Sequence, residues 1–356
     1  MKKLFIFLIF LFFAQPCFAE IESESADISS KTELLAFIDS CVVKRISNFV
    51  VNYANGYRET SQNILRACNL PSIVERVLMS DGIRTKVYYQ IQYYPGMRIA
   101  DAYLKNDTSN LTPEEMVLYS VATSLLDQAA SLPPLEAELF FHDTICRTVQ
   151  YYTSDIGQHI PRHATAIGAL IDRRANCQGY TDAFAMLCRM YGFNVYSQSG
   201  LSRGKPHVWN VIQIDNRWYA VDVTWDDNDD KQKHVDFISH KYFNIPEELL
   251  RSTHSWNRID ELCRIEYYLD ENYYYMRNNR NFGYTFSDKN KAVQFLVHEI
   301  IRNTKVISIM IEDNDTNHKN FIALLKNGLM RARRSVNFYC IYQTLGNYSY
   351  YTIALR

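Results

Sequence analysis

Between Gln178 and Trp225 the hydrophobic period changes from that of a helix to that of a strand, and this switch limits the folds open to the chain. Ala183, Phe184, Leu187 and Met190 recur at helical spacing, Ala185 and Cys188 widen the apolar stripe, and Gly192 supplies a stop. Aromatic and β-branched residues then dominate from His207 to Ile214 and from Arg217 to Trp225, which predicts two strands joined at Asp215-Asn216. A helix followed by an antiparallel hairpin points to an α+β core, with the helix packed on an antiparallel sheet.

Cys177 stands at the expected start of that helix. The free N–H groups and positive end of a helix favour a thiolate over a thiol. A two-residue turn at Asp215-Asn216 sets Asp222 opposite Trp209 and His207 opposite Thr224, so His207 and Asp222 become diagonal neighbours on one face. A slip of one residue would separate them. Cys177, His207 and Asp222 are therefore the expected nucleophile, base and orienting carboxylate. The plainer alternative is a buried Cys acting as a small hydrophobe, a satisfied strand His and an Asp that caps a turn. A polar pair set inside otherwise apolar strands favours the chemical reading.

The stretch from about Ile167 to Asp227 resembles the transglutaminase-like branch of the papain-type superfamily. Three segments carry the resemblance: Cys177-Gln-Gly-Tyr180 at a helix start, His207-Val-Trp-Asn210 on one strand, and Trp218-Tyr-Ala-Val-Asp-Val-Thr-Trp225 on the next. The resemblance implies a papain-like core in which Cys177 is the nucleophile, His207 the base and Asp222 the orienting carboxylate. Phe141-His-Asp143 with Tyr151 resembles the helix before that core, and His240-Lys-Tyr-Phe-Asn244 with His254-Ser-Trp256 resembles the tail of bacterial extracytoplasmic members. The implied activity is attack on an amide or peptide carbonyl, by a cysteine peptidase or amidase rather than a cross-linking transglutaminase, because nothing in the sequence excludes water. A peptide, a glutamine side chain and a cell-wall cross-bridge all offer such a carbonyl. The competing class is a noncatalytic module that binds protein or cell wall. It stays open because the backbone N–H of Cys177 is the one identifiable donor to a developing oxyanion, with Tyr151 or Tyr152 as candidates for a second.

Lys2 and Lys3 precede an apolar run from Leu4 to Ala14, and Ala19 offers a small residue for cleavage, which predicts a signal peptide over residues 1–19. The run is too short to span a bilayer, and the expected location is the periplasm or the outside of a bacterial cell. Loss of Lys2 and Lys3 moves the formal charge from -1 to about -3. With acidic and basic residues interspersed, there is no basic footprint for nucleic acid. Of eight cysteines, Cys41, Cys68, Cys146, Cys177, Cys188, Cys263 and Cys340 remain after the leader. An odd number in an oxidising compartment leaves one unpaired, which a Cys177 kept free for chemistry explains. Cys41 with Cys68 and Cys263 with Cys340 are the pairings worth naming, while Cys146 and Cys188 fit apolar helices as core thiols.

About 337 mature residues exceed a single domain. Residues 20–132 read as a helical or mixed N-terminal module, with helices over 32–55, 72–79 and 115–129, a strand over 86–94 and a Thr112/Glu115 capping box. The core is expected over 133–257, opening with a helix from Glu136 to Tyr151 and including a loop from Ser197 to Lys205. Residues 262–356 read as a small α/β domain, with strands near 272–276, 305–311, 336–342 and 348–354 and helices over 288–302 and 317–330. Support, substrate access and partner binding are the roles open to the flanking modules. No metal or organic cofactor is expected. Pro161 interrupts the turn between His159 and His163, His240 and His254 lack nearby Cys ligands, and the acidic run after Asp226 lacks the Gly and closing Glu of a calcium loop. The 26 Tyr are read as packing rather than a sugar platform.

Overall fold

The computed structural model describes residues 24–61, 63–64, 72–154, 161–227, 238–256, 284–312 and 318–355. The leader, Cys68, Cys263, His159 and the strand expected over 272–276 lie outside the described residues, and with them one partner of each named cysteine pair.

One compact unit is formed by residues 24–60 and 74–91. It holds β1 (Glu24–Ile28), α1 (Lys31–Lys44), β2 (Asn48–Tyr53) and all but the end residues of β3 (Ser72–Ser80) and β4 (Thr85–Gln92), with the sheet ordered β1-β2-β4-β3. The helix expected over 32–55 ends at Lys44, because Arg45 turns left-handed and its N–H takes the carbonyls of Cys41 and Val42. Phe49, Val50 and Val51 then suit a pleated surface better than a helix and pair with β4. The helix expected over 72–79 is instead strand β3: its apolar residues fit either period, and pairing with β4 decides.

The second unit is formed by the described residues within 61–73 and 92–355. It opens with α2 (Pro95–Lys105), α3 (Pro113–Ala129) and α4 (Pro134–Thr148). The capping box of α3 is reciprocal: Glu115 N–H donates to Thr112 Oγ1 at 3.2 Å and Thr112 N–H donates to Glu115 Oε2 at 2.8 Å. Strand β5 (Gln150–Tyr151), α5 (Ala166–Leu170) and β6 (Arg174–Ala175) lead to α6 (Cys177–Tyr191). The helix expected to reach Tyr151 therefore stops at Thr148, where β5 begins to pair with β6. After α6 come β7 (Val195–Ser202), β8 (Lys205–Ile214), β9 (Arg217–Val221), α7 (Val223–Asp226), α8 (Glu247–Leu250) and β10 (His254–Ser255). The sheet is antiparallel throughout, in the order β10-β7-β8-β9. The loop expected over Ser197 to Lys205 is mostly β7, closed onto β8 by a tight turn with Arg203 and Gly204 at positive φ.

Helix α6 is sunk into the core. Tyr180, Phe184, Met186, Leu187 and Cys188 are all inaccessible to solvent. Burial of each large apolar side chain contributes about 1.5–3 kcal/mol, so this helix anchors what it carries. The packing of α6 on an antiparallel sheet makes the architecture α+β.

The chain ends in β11 (Tyr284–Phe286), α9 (Lys289–Ile301), β12 (Val306–Ile311), α10 (His318–Arg331), β13 (Phe338–Leu345) and β14 (Tyr348–Leu355), with sheet order β11-β12-β14-β13. Leu296, Phe321, Leu325 and Ile353 form a core between this sheet and its helices. Met310, Leu345 and Tyr350 join the same buried cluster as Phe184 and Trp209, and His240 N–H donates to Tyr350 Oη at 3.1 Å. No helix among the described residues is long and apolar enough to cross a membrane.

Candidate active site

Asn176 caps α6, its Oδ1 accepting from Gln178 N–H at 3.0 Å and Gly179 N–H at 3.2 Å, so Cys177 occupies the first helical position. The first turn lies hard against neighbouring backbone. A Cβ at Gly179 would stand 2.5 Å from the His163 carbonyl oxygen and 2.8 Å from Ala175 Cβ, which only glycine avoids. Asp182, buried one turn on, accepts from Ala166 N–H at 2.8 Å and Gly96 N–H at 3.2 Å. Its carboxyl is pushed up to about 6 by burial, against the pull of those two donors. On the sheet side, Asn210 Nδ2 donates to the Thr181 carbonyl at 3.1 Å and Thr181 Oγ1 to the Val208 carbonyl at 3.3 Å, which ties the Cys177 end of α6 to β8.

The hairpin supplies the other half. Asp215 and Asn216 both take positive φ, 50° and 62°, the signature of a two-residue turn that matches strand twist. The ladder runs from Ile214↔Arg217 to Asn210↔Val221, the register expected from the sequence. Pairing ends at Val221, four residues before Trp225. The Asp222 N–H donates to the Tyr242 carbonyl at 3.1 Å, and Asp222 Oδ1 accepts from Trp225 N–H at 3.1 Å, so a cap and a short helix replace the end of the strand.

His207 and Asp222 meet across this hairpin, Nε2 to Oδ2, at 2.7 Å. The Cys177 side chain also acts on the ring and raises its pKa. With Nε2 committed to the carboxylate, Nδ1 is the nitrogen left for the thiol. Burial works to lower the His207 pKa, but the Asp222 carboxylate and Cys177 reverse that and raise it to about 10. Burial likewise works to raise Asp222, and His207 and His254 outweigh it to hold the carboxyl at about 2. Cys177 itself is partly exposed.

His254 is a residue that strand and helix periodicity did not identify. Its Nε2 lies 3.0 Å from Asp222 Oδ2, and its Nδ1 lies 2.9 Å from Thr253 Oγ1. Strand β10 holds His254 opposite Ser202, while Trp209 packs against its ring at 4.9 Å. Gly200, opposite His207, leaves room for this: a Cβ there would fall 2.4 Å from the Ser255 carbonyl and 2.7 Å from the Trp209 ring. Trp225 meets the His207 ring edge-on at 6.2 Å, and the Arg203 guanidinium covers Trp225 at 4.2 Å. Tyr94 was also not singled out. Burial first, then Asp182 and Cys177, push its phenol well above the usual range, which places it within the electrostatic reach of the thiol. Tyr151 lies beside Tyr180 at 6.4 Å and Tyr152 beside His163 at 5.3 Å.

Among the described residues, two groups of His and Asp have ligand-capable atoms within 4.8 Å of one another: His207, Asp222 and His254, and separately His142, Asp143 and His240. In the first, Asp222 Oδ2 already receives both imidazoles.

Residues 124–223, from within α3 to the residue after Asp222, match the family model of the transglutaminase-like superfamily, and this segment has a transglutaminase-like fold. His240 and His254 fall beyond the match. The human kyphoscoliosis peptidase is 25% identical over 122 residues, 31% of this chain and 18% of that protein, so the chain spans under a fifth of that relative. A solved transglutaminase (TGase) structure is 14% identical, covering 50% of this chain and 51% of its own, at a TM-score of 0.27. The periplasmic domain of TgpA from Pseudomonas aeruginosa is 15% identical, covering 43% of this chain and 63% of its own, at a TM-score of 0.26.

Proposed function

We propose that the protein is an extracytoplasmic thiol enzyme that cleaves an amide or peptide bond through Cys177, His207 and Asp222. The observation that carries the reading is the His207–Asp222 contact, Nε2 to Oδ2 at 2.7 Å, on a ring whose pKa the Cys177 side chain helps to raise. The Cys177 proton passes to His207 and the sulfur attacks the carbonyl carbon, placing negative charge on the carbonyl oxygen. Asn176 takes the N–H groups of Gln178 and Gly179, and the Cys177 N–H is the donor assigned to that oxyanion. As the C–N bond breaks, His207 protonates the departing amine and leaves a thioester on Cys177. Water then adds, its proton going to His207, and collapse releases a carboxylic acid and restores the thiol.

Hydrolysis is favoured over amine transfer because Cys177 is partly exposed, so water can reach a thioester there. Peptides, glutamine side chains and cell-wall cross-bridges are the substrate classes to supply. The apolar leader over residues 4–14 supports placing the reaction in the periplasm or outside the cell.

The test is iodoacetamide labelling of Cys177 in the mature chain across pH, beside assays for released acid and amine. Labelling that stays fast well below the ordinary thiol range, with turnover abolished in Cys177→Ala, is the expected result. A Cys177 that reacts only as it titrates near about 8.5 leaves the noncatalytic binding module as the better reading.

A further inference from the structure

Helix α4 carries a second His–Asp cluster, against the short helix α7 that Asp222 caps. His142 is wholly buried and has a carboxylate on each ring nitrogen: Asp143 Oδ1 lies 3.0 Å from Nδ1, and Asp226 Oδ2 lies 3.3 Å from Nε2. His240 Nε2 approaches the same Asp143 Oδ1 at 2.7 Å. A neutral imidazole has one N–H to donate, and an ionised carboxylate only accepts. A neutral His142 can therefore satisfy one of its two carboxylates, so the cluster needs one positive charge, carried either by a proton on His142 or by a bound cation.

We propose that His142 Nδ1, Asp143 Oδ1 and His240 Nε2 form a site for one divalent transition-metal ion of zinc-like preference. Two imidazoles and a carboxylate suit such borderline cations. Bonds of about 2.0–2.1 Å in tetrahedral array set ligand atoms about 3.3–3.4 Å apart. The observed separations of 3.0 Å and 2.7 Å, with all three atoms inside 4.8 Å, need only small side-chain adjustments to reach this. With the ion on Nδ1, His142 keeps its Nε2–H for Asp226, the carboxylate behind a metal-bound histidine that fixes tautomer and ring orientation. Asp226 is itself held by the Tyr242 N–H, at 3.0 Å and 3.1 Å to its two oxygens, and the second oxygen of Asp143 accepts from Arg147 at 3.2 Å. Cys146 Sγ is 4.0 Å from His142 Nε2, on the Asp226 side of the ring, and takes no part in ligation.

Asp143 and His240 keep 14% and 15% of their side chains exposed, which leaves a route of entry and a fourth position for water. An ion there would tie α4 to the 238–243 segment, whose Tyr242 carbonyl receives the Asp222 N–H.

The experiment is titration of the chelator-treated mature chain with Co²⁺, followed by visible absorption, then displacement with Zn²⁺. One equivalent should bind saturably with the d–d bands of a nitrogen and oxygen site of low coordination and no thiolate-to-cobalt charge-transfer band. Asp143→Asn and His240→Gln, each checked for native near-UV circular dichroism, should weaken binding at least 100-fold, whereas His207→Ala should leave it unchanged. A thiolate band, binding lost in His207→Ala, or full affinity in a folded His240→Gln would place the ion elsewhere and overturn the proposal. Absence of saturable binding would overturn it too, and assign the cluster to a protonated His142 between two carboxylates.

Discussion

Replacing Asp222 with Asn keeps the shape of the side chain and removes its charge. Its carboxylate is 1% exposed and faces His207 at 2.7 Å, His254 at 3.0 Å and Trp225 N–H at 3.1 Å. With so little solvent to screen the pair, removing one partner should cost about 3–5 kcal/mol of stability. The gap between wild type and Asp222→Asn should itself depend on pH. His207 is raised from 6.5 to about 10, so its contribution is fully present below 6.5 and fades as pH rises through about 10. Asp222 is depressed from 3.8 to about 2, so its contribution is present above 3.8 and fades as pH falls through about 2. The gap is therefore widest between roughly pH 4 and 6.5 and narrows on both sides. The chemistry should follow. Without the carboxylate the His207 pKa falls back towards 6.5 under the pull of burial, and Cys177 loses its charged partner. Labelling of Cys177 at pH 6 should therefore slow in the variant, because its proton has a weaker acceptor in His207. Urea unfolding at several pH values and iodoacetamide labelling at pH 6 measure both effects. A variant as stable as wild type at pH 5 to 6 and labelled within twofold of its rate would refute the assigned electrostatics.

Two smaller perturbations separate positioning from packing. His254→Phe fills similar space and removes one donor to Asp222, a hydrogen bond to a charged group worth about 1.5–3 kcal/mol; the acid limb of Cys177 labelling should move to higher pH, because one of the two imidazoles that hold Asp222 ionised is gone. Gly179→Ala forces a methyl to within 2.5 Å of the His163 carbonyl oxygen, and should lower stability by about 1–3 kcal/mol and slow labelling, both read by thermal melting and mass spectrometry.

How far the sequence was legible depended on the range of the contact. Helix α6 and the β8–β9 hairpin were readable because each is set by neighbours: a cap and an apolar stripe for the helix, Asp215 and Asn216 for the register. Residues 32–55 were misread because α1 and β2 are both apolar and only the left-handed Arg45 divides them. Residues 72–79 were misread because Val74, Val77 and Leu78 suit either period, and pairing with β4 is a tertiary fact. Distance hid the rest. His254 reaches Asp222 across 32 positions and His240 reaches Asp143 across 97, and no local pattern encodes either meeting.

Asp222 shows why a plain reading and a chemical reading of one residue need not compete. The plainer expectation for Asp222 is a turn cap, and Oδ1 does cap α7 by accepting from Trp225 N–H. As an orienting carboxylate it was the sharper expectation, and Oδ2 faces both His207 and His254. The cap fixes the plane of the carboxylate, and that plane aims Oδ2 at the two rings. Ending the strand at Val221 is what frees Asp222 to do both, since its N–H leaves the ladder for the Tyr242 carbonyl. The departure from the expected strand is thus the local feature that brings the His–Asp pair into contact. A strand continued to Trp225 would leave Asp222 in the ladder, without the cap that orients its carboxylate.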